Sequence, residues 1–127
     1  MPDLPRPTPT ELILLRALWT LRRGTVREVH EAVGGDAFGR YTTVLKLLQI
    51  MTEKGLVERD ESQRAHVYRP VVAAERTQRQ LVRDLVDRAF AGSTARLVQQ
   101  ALSARHPDAE ELAEIRRLLD SLEGDDR

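Results

Sequence analysis

Across one glycine the spacing of apolar residues changes period, and that change limits the possible folds more than any other feature of the chain. Val44, Leu47, Leu48 and Met51 recur at intervals of three and four, which predicts a helix over 41–54. Gly55 ends it, and 56–61 and 65–69 follow with partial two-residue alternation around Ser62-Gln63-Arg64, the pattern of a β-hairpin whose turn lacks the usual Gly or Asn. Upstream, Leu14, Leu15, Leu18 and Leu21 form one stripe, predicting a helix over 10–21 with Thr10 placed to accept from its first amides. Thr25 and Glu28 have the spacing of a capping box, and Val26, Val29 and Val33 make a short stripe that Gly34-Gly35 stops, so 25–33 is a second helix.

Beyond Pro70 the period is helical throughout. Leu81, Val82, Leu85, Val86 and Ala89 form one stripe; Leu97, Val98, Ala101 and Leu102 form another; Leu112, Ile115, Leu118, Leu119 and Leu122 form a third. The expected class is mostly α with a small β-hairpin: an N-terminal winged helix-turn-helix followed by a C-terminal helical dimerisation region. Three short helices and a hairpin are the order in which such a domain places its third helix in the major groove. Residues 1–9, with Pro2, Pro5, Pro7 and Pro9, read as a flexible arm, 10–71 as the winged helix and 72–127 as the dimerisation domain. Leu81, Leu85, Leu97, Leu102, Ile115, Leu119 and Leu122 need a surface to bury against, and a two-fold pair is the commonest closed solution.

Composition removes several function classes. The 127 residues suit one domain, and 20 basic side chains balance 20 acidic ones, so net charge names no partner. The absence of cysteine removes disulfides, thiolate metal sites and a thiol nucleophile. No apolar run is long enough to cross a membrane and the first residues lack a signal-peptide core, so a cytoplasmic chain without membrane insertion is expected. His30, His66 and His106 are too dispersed for a metal signature, and neither a glycine-rich phosphate loop nor a Gly-x-Ser-x-Gly elbow is present. The expectation is a non-enzyme with no cofactor and no metal. From 105 to 127 there are 4 basic and 8 acidic residues, a stretch that phosphate would repel.

On the helix over 41–54, Thr42, Lys46, Gln49 and Glu53 fall opposite the apolar stripe. Tyr41 and Thr43 stand at its start, behind Arg40, where free amides favour a phosphate. Lys46 and Gln49 suit purine edges, and Leu45 or a threonine methyl suits a thymine methyl. The same spacing fits an ordinary solvated helix face. The hairpin adds Arg59, Arg64, His66 and Arg69, which also fit the role of edge-strand charges. Glu53, Glu58, Asp60 and Glu61 lie beside this face and keep open a second reading, a winged helix used as a protein-protein interaction module without specific DNA binding.

The segments Tyr41-Thr42-Thr43-Val44-Leu45, Glu53-Lys54-Gly55-Leu56-Val57 and Arg64-Ala65-His66-Val67-Tyr68-Arg69-Pro70, with Ala17-Leu18-Trp19 and Thr25-Val26-Arg27-Glu28-Val29 before them, occur in order. Together they resemble the penicillinase-repressor family of BlaI/MecI/CopY-type winged-helix regulators, from about residue 8 to the end. The resemblance implies a homodimeric repressor of transcription that occupies a palindromic promoter operator through helix 41–54 and wing 57–69. It implies that Thr42, Thr43, Lys46 and Gln49 read bases, with Tyr41 and Arg64 on phosphate. The chain departs from the family at Ile50, where a basic residue is frequent, and at Gln63-Arg64, where the wing usually begins Gly-Arg. A membrane sensor peptidase or associated protease is a further implied partner, and Gln100-Ala101 stands where the antibiotic-responsive branch is cut at Asn-Phe. The cysteine-rich copper site of another branch is absent.

Overall fold

The computed structural model describes residues 4–125. Its elements are α1 (Pro9–Leu21), β1 (Gly24–Thr25), α2 (Val26–Ala32), a 3-10 turn (Gly35–Ala37), α3 (Tyr41–Lys54), β2 (Val57–Asp60), β3 (Val67–Pro70), α4 (Ala74–Ala89), α5 (Thr94–Ala104) and α6 (Ala109–Asp125). They divide into two compact units, 1–83 and 84–127, with α4 running through the division. Of the expected arm, Met1, Pro2 and Asp3 lie outside the described residues, while Leu4 exchanges two hydrogen bonds with the Gln80 side chain at 3.0 and 2.9 Å.

The first unit is a winged helix-turn-helix. Its core joins Leu14, Leu15 and Leu18 of α1, Val26 and Val29 of α2, and Val44, Leu48 and Met51 of α3 to Leu56, Val57 and Tyr68 of the hairpin. Leu21, expected in that core, is 40% exposed, because α1 ends there and Arg22 turns the chain away with a φ of 75°. Trp19 packs beside the cluster and donates its indole N–H to the Val72 carbonyl at 3.0 Å, tying α1 to the segment that leads into α4. The hairpin has an added strand: β1 pairs antiparallel with β3, giving a three-stranded sheet in the order β1-β3-β2. The loop between β2 and β3 covers 61–66, wider than the three-residue centre that the sequence suggests.

Both early helices begin in capping boxes. Thr25 and Glu28 close α2 as expected. On α1 the cap is Thr8 rather than Thr10: proline has no amide hydrogen to satisfy and a helical φ, so Pro9 occupies the first helical position and the start moves upstream. The Thr8 hydroxyl accepts from the Glu11 amide at 3.1 Å, and the Thr8 amide donates to Glu11 Oε1 at 2.9 Å. The same Oε1 receives Lys54 Nζ at 2.6 Å, so one carboxylate, 3% exposed as a residue, joins the start of α1 to the end of α3. Gly55 then caps α3 in the left-handed region at a φ of 82°, where a side chain would be strained.

Burial, the largest influence on Glu11, pushes its carboxyl upward, but Lys54 and Thr8 together outweigh it and hold the group below its ordinary value. A carboxylate depressed in the folded state contributes stability that is present above its unfolded pKa and is lost as pH falls through the folded one. Acidification through the lower carboxylate range is therefore expected to weaken the first unit. Lys54→Met should lower the unfolding free energy at pH 7 by about 1–3 kcal/mol, the range for losing a hydrogen bond to a charged group. It should also move the acid loss to higher pH, since burial then acts on Glu11 without its counter-charge; urea denaturation from pH 7 to pH 3 measures both effects.

Candidate nucleic-acid interface

Helix α3 separates its two faces cleanly. Val44, Leu48 and Met51 are completely buried, whereas Thr42, Thr43, Lys46 and Gln49 are exposed and Tyr41 is 46% exposed. Ile50 is 38% exposed beside them, and Leu45 is half-buried. No side chain caps α3: Arg40 occupies the N-cap with extended backbone, and only its carbonyl is used, by the amides of Thr43 and Val44. Unlike α1 and α2, this helix therefore begins without a neighbouring side chain on its first amides.

The approach to α3 is fixed by a histidine that spacing alone does not connect to this helix. His30 of α2 donates from Nε2 to the Gly39 carbonyl at 2.8 Å, which assigns the hydrogen to that nitrogen because a carbonyl only accepts. Its ring meets the Tyr41 ring edge-on, with centroids 6.2 Å apart, and Asp36 Oδ1 lies 3.4 Å from the same nitrogen. The link spans nine residues through an irregular turn, a separation with no periodic signature.

In the wing the four candidate basic residues divide into two classes. Arg69 pairs with Glu58 at 2.8 Å, directly across the β2–β3 register, and Arg59 pairs with Glu61 at 2.5 Å while also facing the Tyr68 phenol. The backbone hydrogen bond from Ser62, foremost, holds the Asp60 carboxyl below its usual range. Arg64 and His66 are exposed and make no ion pair within the described chain. Tyr41 and Arg64, distant in sequence, line the same cleft between α3 and the wing.

The remaining candidates lie on the later helices. Leu81, Leu97, Leu102 and Ile115 are half-buried, while Leu85, Leu119 and Leu122 are 49%, 56% and 64% exposed. Leu118, at 60%, belongs with them and was legible in the same stripe. Gln100 and Ala101 are exposed within α5. Among the described residues no group of histidine and carboxylate side chains is arranged to hold a metal ion, and no helix is long and apolar enough to cross a membrane.

The sequence pattern of the family described as Penicillinase repressor matches residues 7–121. The chain is 39% identical over 72 residues to the transcriptional regulator BlaI of two Mycobacterium tuberculosis strains, covering 56% of this chain and 52% of each relative. It thus spans about half the length of the curated relatives that it matches. The solution structure of the DNA binding domain of the repressor BlaI shares the fold with a TM-score of 0.50 at 20% identity, over 58% of this chain and 90% of that one. A transcriptional regulator from Thermotoga maritima has a TM-score of 0.51 at 16% identity, covering 92% of this chain and 74% of its own. A MarR family protein from Bacillus stearothermophilus has a TM-score of 0.51 at 20% identity, covering 94% and 74%.

Proposed function

The chain belongs to the penicillinase repressor family, and from that premise we propose that it is a homodimeric cytoplasmic repressor that blocks transcription by occupying a palindromic promoter operator. The observation that carries this reading is α3: a helix buried on one side, without a side-chain cap at its start, and presenting Thr42, Thr43, Lys46 and Gln49 on the other. Lys46 and Gln49 read base edges, while Arg40, Tyr41 and Arg64 position the domain on phosphates. The competing reading, a module that binds a protein partner, drew on the acids around the wing. Two of those four acids, Glu58 and Glu61, each lie beside an arginine that offsets their charge.

Leu85, Leu118, Leu119 and Leu122, about half in water or more in the single chain, support dimerisation through the later helices. A two-fold pair presents two α3 helices to half-sites about one helical turn, roughly 10 bp, apart. Release by a sensor peptidase or associated protease at Gln100-Ala101 requires α5 to open locally, since that bond lies inside the helix and nicking concentrates at exposed loops.

Purified protein and fragments of its own upstream region, resolved by mobility shift against random competitor, test the proposal. A salt-sensitive, competitor-resistant complex with two protomers on one palindrome is the expected result, and no shift even at low salt refutes it. Lys46→Ala should weaken operator binding by about 1–3 kcal/mol with little change on random DNA; equal losses on both would make Lys46 a phosphate ligand. Replacing Leu119 and Leu122 with lysine should give a monomer in sedimentation, with the two-protomer complex lost.

A further inference from the structure

We propose that the cleft between the start of α2, the start of α3 and the wing seats a backbone phosphate of DNA, held between Arg27 and Arg64. This deepens the DNA-binding reading and rests on it. The cleft measures about 390 Å³, more than ten times the roughly 30 Å³ share of one water molecule, so it has room for a sugar-phosphate segment. Thr25, Arg27, Tyr41, Arg64 and His66 contribute to its walls, and no carboxylate does. Two arginines thus border one concavity, with Thr25 and Tyr41 beside them. A guanidinium presents a planar fork of donors that matches phosphate oxygens two at a time.

Neighbouring hollows make the assignment selective. The one on the far side of Arg27 and Tyr41 includes Glu31 and Asp36, and the one beside β1 includes Glu28 and Asp60. In each, two carboxylates stand against one arginine, Arg27 in the first and Arg23 in the second, which disfavours an anion. Arg27 is drawn toward Glu31 at 3.7 Å, but their side chains are 84% and 70% exposed, and an exposed helix pair of this kind holds its members weakly. Arg27 is therefore free to turn into the cleft, where no acid competes. The contributors come from 25–27, 41 and 64–66, and only the folded wing brings them together.

The test is the slope of log affinity against log salt concentration for the full chain on operator and on random DNA. Arg27→Ala should reduce the magnitude of the slope by roughly 0.9 per bound protomer and weaken both DNAs by the same factor. Arg27→Lys should keep the slope, and Arg96→Ala, an exposed change in α5, should leave it as in the unaltered protein. A slope unchanged by Arg27→Ala, or a loss confined to operator DNA, overturns the proposal while the DNA-binding reading stands. If the unaltered protein shows no salt-dependent binding, both fall.

Discussion

The position of α3 rests on a carboxylate buried beneath its far end. Glu11 closes the capping box of α1 and receives Lys54, so the geometry that starts one helix also anchors the finish of another. At the opposite end His30 holds the Gly39 carbonyl, and between the two Val44, Leu48 and Met51 are completely buried. A helix fixed at both ends and along its length presents Thr42, Lys46 and Gln49 from a rigid element. In the proposed operator complex, base recognition by bidentate hydrogen bonds depends on that rigidity, because small misplacement loses the pair.

Electrostatics follow the same economy of placement. The whole chain is neutral, yet neutrality is not spread evenly over its surface. Around the wing, Arg59 and Arg69 are matched by Glu61 and Glu58, which leaves Arg64 as the arginine without an ion pair there. On α3, Lys46 stands exposed and makes no ion pair among the described residues. Charge around the wing is thus offset locally, with two of its arginines facing acids and the third facing none among the described residues.

The parts legible in the sequence are those governed by a local rule. Helix α3 begins and ends where periodicity and Gly55 place it, and the Thr25 capping box is present because its two members lie three residues apart. Strand β1 was not legible: two residues carry no alternation, and Gly24 and Thr25 become a strand only by pairing with Tyr68 and Val67 of β3. Spacing puts the cap of α1 two residues late because Thr8 and Thr10 are both acceptable caps, and Pro9 between them decides. The Glu11–Lys54 and His30–Gly39 links, and the union of Arg27 with Arg64 around one cleft, join residues whose separations obey no period. Spacing identified the exposed face of α3, whereas its supports and the cations beside it required tertiary contacts.

The second unit obeys a different balance from the first. Within 84–125 Val86 reaches burial at 9% exposure, while Leu85, Leu118, Leu119 and Leu122 stay about half in water or more. Covering the exposed part of four such side chains on each of two protomers contributes on the order of 6–12 kcal/mol, taking about half of the 1.5–3 kcal/mol for full burial of each. Association costs on the order of 4–15 kcal/mol in lost freedom, a range of the same size. In the proposed dimer no single leucine is therefore redundant, and the half-buried Leu97, Leu102 and Ile115 decide the sign as much as the exposed ones. A pairing so balanced depends on protein concentration. Because the first bound domain brings its partner to the second half-site at high effective concentration, operator occupancy rises more steeply with protein concentration than one independent winged helix allows.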